Sequence, residues 1–263
     1  MNKLKRQLKI IEELKSEGVV NINHLHETLK VSKVTIRSDI DELDQKGYLL
    51  KTRGGGVLRN NRNLVRLIET TIHEYEYEKD LIAQTAAKLV KSGMRIIIDS
   101  GSTTSFLPRY LKDLNLTVLT NSLIVVHELS GLENINLIVS GGSLRHESQS
   151  LIGISSLSFF DTMNADILFL GATGFSVERG TSASDIMEAE TKKMMISSSK
   201  DVYLLIDSSK FGKNSLSRIC HTSELTGVIT DSISNKLMQQ LIDQNILVLQ
   251  SVPGNNNDIK TNL

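Results

Sequence analysis

The sequence predicts two unlike domains: a basic α+β head of three helices and a β-turn, then an acidic α/β body on a largely parallel sheet. Three observations lead there. Apolar residues recur at three- and four-residue spacing through the first 45 positions. Further on, short and nearly continuous apolar runs alternate with helical stretches. Charge divides at the same place. Lys+Arg and Asp+Glu balance at 30 each, yet residues 1–62 carry +5 and the remainder −5. The expected boundaries are a head over 1–60, a linker over 61–78, a body over 79–250 and a frayed tail over 251–263.

In the head, Leu4, Leu8, Ile11 and Leu14 mark a first helix ending near Gly18. "VVNI" reads as a brief strand, and Asn23 stands where an N-cap would precede a second short helix with Leu25 and Leu29 inward. Ser32 is the expected N-cap of a third helix, in which Ile36, Ile40 and Leu43 share one face and Gly47 provides the stop. Lys33, Thr35, Arg37 and Ser38 fall in its first turns, off the apolar stripe. Two helices joined by a tight turn, with polar and basic residues opening the second, are the parts of a helix-turn-helix, whose second helix meets base edges in the major groove. "YLLKT" and "GVL" then read as strands around "RGGG". There Gly54 and Gly55 would let a wing approach a phosphate chain closely, with Lys51 and Arg53 bracketing that chain. A basic head on an acidic body points to a polyanion partner. The competing reading is a three-helix domain that binds protein.

The totals exclude several classes. With Cys220 the only cysteine, no internal disulfide framework is possible and a reducing compartment is expected. Adjacent His221 raises a nucleophilic thiol, but sequence neighbours seldom form such a pair, and a packed thiol is the plainer reading. No apolar run approaches the roughly 20 residues of a membrane span. The amphipathic start contains Glu12 and Glu13, unlike a signal peptide. The expectation is a cytoplasmic protein without a membrane.

In the body, Ile82, Ala86 and Leu89 mark the opening helix. Strand candidates are "RIIID", "LTVLT", "NLIVS", "DILFLG", "VYLLID", "GVIT" and "ILVL"; such runs suit strands covered on both faces. The loops after them carry the polar residues: Asp99, Gly101, Ser102, Thr103 and Thr104 before a helix, then Thr120, Asn121 and Ser122 before another, then Gly141 and Gly142 with Arg145 behind. Hydroxyls and free amides at a helix N-terminus suit an anion. No G-x-x-x-x-G-K-[ST] loop occurs. Since ligands of open α/β sheets bind at the carboxyl ends of strands, the set suggests a compact phosphorylated ligand. Glu188 and Lys192, four apart on a helix, read either as ligand contacts or as a surface pair of little energetic worth. Asp207 and Lys210, just past a strand, read as a sugar or phosphate contact or as a solvated turn.

"VSKVTIRSDIDELDQKGYLLKTRGGGVL" resembles the signature of the DeoR family of bacterial transcriptional regulators. Ser32, Thr35, Ile36, Arg37, Asp39, Leu43, Gly47, Gly54 and Gly55 match its pattern. Ser38 stands where many members have a second arginine, and Arg53 where many have histidine. The resemblance continues to about residue 250, carried by Asp99, Gly101, Ser102, Thr103 and Thr104, by Thr120, Asn121 and Ser122, by Gly141 and Gly142, by Glu188 and Lys192, and by Asp207, Ser209 and Lys210. It implies a sensor domain similar in fold to ribose-5-phosphate isomerase, answering to phosphorylated sugars or sugar alcohols. It also implies a double-stranded operator as partner and a homo-oligomer. "GGSLRHESQSLIG", "LFLGATG" and "DSSKF" are closest to regulators of amino-sugar and galactitol pathways.

Three functions compete: a sugar-phosphate-responsive repressor of a carbohydrate operon, a sugar-phosphate isomerase fused to a DNA-binding head, and a scaffold without ligand. Isomerisation needs a carboxylate base over the substrate carbon. Where the isomerases carry a D-G-A-D-E-like run, this chain has "GATGFSVERG", with Glu178 the only acid. A scaffold leaves the loop set unexplained. The expectation is a non-enzymatic regulator without metal or cofactor.

Overall fold

A computed structural model describes residues 3–45, 48–57, 67–251 and 259–261. It divides into two compact units, residues 1–64 and 65–263.

The first unit runs α1 (Lys3–Glu17), β1 (Val19–Asn21), α2 (Ile22–Leu29), α3 (Lys33–Gln45), β2 (Leu50–Thr52) and β3 (Gly55–Val57). Its core joins Ile10, Leu14, Val20, Leu25, Ile36, Ile40, Leu43 and Leu49. The expected stripe of α1 is thus displaced: Ile10 and Leu14 face inward, Ile11 is half-buried and Leu8 is 51% exposed. Arg6 and Asp39 explain why. The Arg6 guanidinium binds the buried Asp39 carboxylate, with Nη2 donating to Oδ1 at 3.1 Å, so a charged residue occupies the inward face. Asn21, not Asn23, caps α2, its Oδ1 accepting the Asn23 amide at 2.8 Å. The expected stop at Gly47 lies outside the described residues.

β3 pairs antiparallel with both β1 and β2. Gly55 faces Asn21 of β1, and a Cβ there would stand 1.9 Å from the Val20 carbonyl oxygen.

The second unit runs α4 (Ile68–Thr71), α5 (Glu76–Ala87), β4 (Arg95–Ile98), a 3-10 helix (Thr104–Tyr110), β5 (Leu116–Thr120), α6 (Leu123–Leu129), β6 (Ile135–Val139), β7 (Ser143–Arg145), β8 (Ser150–Ile152) and α7 (Ile154–Asp161). It continues with β9 (Ala165–Leu170), β10 (Gly174–Ser176), β11 (Gly180–Ala183), α8 (Ile186–Ser197), β12 (Ser199–Leu205), β13 (Ser217–Cys220), β14 (Gly227–Thr230), α9 (Asn235–Ile242), β15 (Leu247–Ser251) and β16 (Ile259–Thr261).

All seven expected strands enter one sheet, ordered β16-β15-β14-β12-β9-β4-β5-β6. Every pairing in it is parallel except β15 with β16. Both faces are covered, which is why the strands are apolar throughout. Ile96 and Ile98 of β4 join a core with α5 and α6, while Ile97 joins another with α7, α8 and α9. Two short antiparallel sheets, β7-β8 and β10-β11-β13, flank the large one.

Two boundary expectations need correction. Within the expected linker 61–78, residues 61–66 lie outside the described residues, but Ile68 onward is packed. Ile68 is buried, its amide donates to Glu147 O at 2.7 Å, and Lys79 ties the Thr71 and Glu74 carbonyls. In the expected tail, Ile259–Thr261 pair with β15 rather than fray, because β15 offers an open ladder edge.

Candidate functional site

The sheet places its polar loops at one edge. From β4 the chain moves outward to β5 and β6, then crosses back to β9 on the other side of β4 and proceeds to β12, β14 and β15. The carboxyl ends of β4 and β9 therefore flank the point where strand order reverses, the usual crevice for a ligand in such sheets.

Asp99 lies at the end of β4 and is fully buried. Its Oδ2 accepts the Gly171 amide, just past β9, at 2.8 Å and binds the Lys192 ammonium from α8. Lys192 also donates to Gly171 O at 3.1 Å and stands 3.4 Å from Glu188 Oε1. Glu188 Oε2 is 3.8 Å from Arg145, whose Nη1 donates to Ser148 Oγ at 3.0 Å. The four charges alternate, Asp99, Lys192, Glu188, Arg145, which offsets the desolvation of each. Burial alone would pull the Lys192 ammonium down, but Asp99 and Glu188 hold it above the ordinary lysine range. Lys192 is 2% exposed, so the reading of Glu188 and Lys192 as a surface pair is corrected. A partner 93 residues away decides it.

Four buried polar atoms beside this network have no hydrogen-bond partner among the described residues: Asp99 Oδ1, Ser100 Oγ, Thr103 Oγ1 and Asn121 Oδ1. Asn121 follows β5 as Asp99 follows β4, and Ile98 pairs with Thr120, so their backbones are about 5 Å apart. Asn121 Nδ2 donates to Leu151 O at 3.2 Å, which fixes the orientation of the amide. Native interiors leave few such groups unsatisfied. Here three follow β4 and one follows β5, two adjacent strands. Two are pure acceptors and two are hydroxyls, so the group matches a ligand bearing several hydroxyl donors.

Other expected contacts are spent within the protein. Thr104 Oγ1 accepts the Gly101 amide at 2.8 Å and reaches Asp99 O at 2.6 Å and Gly101 O at 3.0 Å, closing a tight loop into the helix that follows, which is of the 3-10 kind. Thr120 Oγ1 donates to Ile98 O and accepts the Ser122 amide, while Ser122 caps α6. Gly141 and Gly142 have positive φ, and a Cβ on Gly142 would lie 2.5 Å from Ile152 O, so these glycines serve the β7-β8 closure. Ser102 is buried in the same loop. Sequence reasoning missed Ser100 and Gly171; a hydroxyl inside "DSGSTT" and a glycine directly after an apolar strand were the available signals.

Asp207 and Lys210 lie past β12, at the same edge. Asp207 is buried and pairs with Lys210 at 3.4 Å. Burial pushes the Asp207 carboxyl up, but Lys210 and the Ser209 hydroxyl outweigh it and hold it below the usual carboxylate range. Cys220 is buried against Thr181, and burial pushes its thiol up to about 11, which favours the protonated, less reactive form.

In the first unit, α2 and α3 form the helix-turn-helix. Ser32 Oγ accepts the Thr35 amide at 3.1 Å and meets Thr35 Oγ1 at 2.8 Å, so both hydroxyls serve the cap. Lys33, Arg37 and Ser38 are exposed on α3. In the β2-β3 turn Arg53 and Gly54 are exposed, whereas Lys51 pairs with Asp41. Gly55 is buried and has no positive φ; its missing side chain admits β1, which corrects its reading as a phosphate-approach residue. No helix among the described residues is long and apolar enough to cross a membrane.

Comparison with known proteins follows the same division. The DeoR-like helix-turn-helix domain model matches residues 6–62, and the DeoR C terminal sensor domain model matches residues 74–232. The chain is 36% identical over 229 residues to the HTH-type transcriptional regulator IolR of Bacillus subtilis, covering 87% of this chain and 91% of that protein. It is 31% identical over 252 residues to the glycerol-3-phosphate regulon repressor of Escherichia coli, covering 94% and 98%. Among solved structures, ribose 5-phosphate isomerase A of Methanocaldococcus jannaschii is similar at 23% identity and a TM-score of 0.38, over 52% of this chain and 54% of that one.

Proposed function

This chain belongs to the DeoR family of transcriptional regulators, and from that premise we propose that it represses a carbohydrate operon until a phosphorylated sugar, sugar alcohol or amino sugar binds its sensor domain. The observation that carries the effector site is that Asp99 Oδ1, Ser100 Oγ, Thr103 Oγ1 and Asn121 Oδ1, in the loops after the neighbouring strands β4 and β5, are buried without a partner among the described residues. Asp99 and Asn121 accept from ligand hydroxyls, and Ser100 and Thr103 complete the contacts. Ser102 and the loop amides face the phosphate, with Arg145 and Lys210 as the nearby cations. On the operator, Lys33, Arg37 and Ser38 read base edges, and Arg53 grips the backbone.

A single head has a small footprint, so the protein works in the cytoplasm as a homo-oligomer, dimer or tetramer, presenting paired heads to a two-part site. The isomerase reading is set aside: its relatives are regulators, and Glu178 is exposed in the turn between β10 and β11.

The test has two arms. Thermal melts against a panel of hexose, hexitol and amino-sugar phosphates should single out one compound, since a ligand at 100 times its Kd adds about 2.7 kcal/mol to stability. That compound should then release the protein from its operator, because an effector acts only by binding two conformations unequally. A compound that raises the melting temperature without moving DNA affinity would refute the effector assignment.

A further inference from the structure

Val34 stands in the first turn of α3 and is 72% exposed. A single apolar residue on a surface needs no explanation in general. This one occupies the helix that opens with Lys33, Arg37 and Ser38, all exposed. Arg37 lies three residues on and Ser38 four, so the three side chains share one face of the helix. Ile36, Ile40 and Leu43 fill the opposite face and form the core, and Val34 takes no part in that core.

We propose that Val34 reads a thymine, its branched side chain covering the C5-methyl group in the major groove. The inference rests on α3 being the reading helix, as argued above. The major-groove edge of the four base pairs carries one apolar feature, the thymine methyl; the rest of the pattern is donors and acceptors. An apolar side chain among polar readers has that one partner of matching chemistry. A valine in a helix is also held in one dominant rotamer, so its methyl groups are fixed in place before contact and little freedom is lost on binding. Position follows from the helix. Side chains three apart are about 5–6 Å from one another, and base pairs rise 3.4 Å each. The thymine therefore lies within about two base pairs of the guanine met by Arg37.

The experiment uses the full-length protein and a duplex selected by it from a randomised pool. First, Arg37→Ala is titrated against single-base variants of that duplex to find the base pair it reads. Then each thymine within two base pairs is replaced by deoxyuridine, which removes only the methyl group. One replacement should weaken wild-type binding about fourfold, the worth of one apolar carbon returned to water. Val34→Ser, an exposed change that leaves the core untouched, should bind the thymine and deoxyuridine duplexes equally. If Arg37→Ala loses affinity at a particular base pair but no deoxyuridine is felt, or Val34→Ser feels it as wild type does, the role of Val34 is overturned while α3 remains the reader. If Arg37→Ala loses affinity equally on every duplex, the helix assignment fails and the inference falls with it.

Discussion

Two neighbouring threonines should behave in opposite ways when each becomes valine. The change keeps the branched shape and deletes one oxygen. At Thr104 that oxygen accepts the Gly101 amide at 2.8 Å and donates toward Asp99 O at 2.6 Å, so Thr104→Val removes two hydrogen bonds and leaves those backbone groups only their mutual contact at 3.1 Å. Two net hydrogen bonds are worth about 1–3 kcal/mol. A body of this size shifts by roughly 2–4 °C per kcal/mol, so the melting temperature should fall by about 2–12 °C. At Thr103 the oxygen is buried without a partner, and Thr103→Val removes a group that was already unsatisfied. Its stability should stay within about 0.5 kcal/mol of wild type or rise slightly. Its affinity for the compound found in the sugar-phosphate panel should drop roughly 2- to 13-fold, the worth of one net hydrogen bond. Calorimetric melts and isothermal titration read both quantities. Equal melting of the two variants, or full effector affinity in Thr103→Val, would refute the reasoning.

Further outcomes follow from other contacts. Arg53→Ala should flatten the slope of log K against log salt by about one phosphate contact, and Lys51→Ala by less because Asp41 already pairs with Lys51; equal slopes would count against the wing assignment. Gly55→Ala should destabilise the head by about 1–3 kcal/mol, because its Cβ would strike Val20 O, while Gly54→Ala, with nothing nearer than 4.0 Å, should cost much less; urea midpoints of the two full-length variants, followed by circular dichroism, separate the two. Asp207 has a lowered folded pKa, so its stabilisation is complete above the unfolded value of about 3.9 and is lost as pH falls through the lower folded value. Asp207→Asn should remove that part of the acid slope in urea midpoints, and an unchanged slope would contradict the pairing with Lys210. The Cys220 thiol should resist alkylation at pH 8 in the folded protein and react after denaturation; labelling of the native protein at the rate of a free thiol would show the site to be open.

The sheet was readable because seven apolar runs of strand length leave little alternative, and all seven became strands. The helix-turn-helix was readable because caps and stripe agree at Ser32, Ile36, Ile40 and Leu43. Elements whose fate depends on distant partners were not. Glu188 and Lys192 at four-residue spacing look alike on a surface or in a core, and only Asp99 tells them apart. Leu8 and Ile10 are equally apolar, and the Arg6–Asp39 pair turns the helix so that Ile10 faces inward. The loop hydroxyls stand after the strand ends, but which are spent and which are unpartnered depends on backbone geometry that spacing does not encode. Thr103 and Thr104 are adjacent, and one closes the loop while the other does not.

The Arg6–Asp39 pair also sets the terms on which the reading module can be transplanted. Asp39 belongs to α3, but its counter-ion comes from α1, 33 positions earlier. A graft that begins at α2 would carry the whole surface proposed to read bases and still leave a carboxylate in the core without its cation, a loss of the kind that costs about 3–5 kcal/mol. A chimaera that exchanges operator preference between regulators therefore has to take the segment from α1 through β3 as one cassette. Where donor and recipient differ at either position, both must be exchanged together.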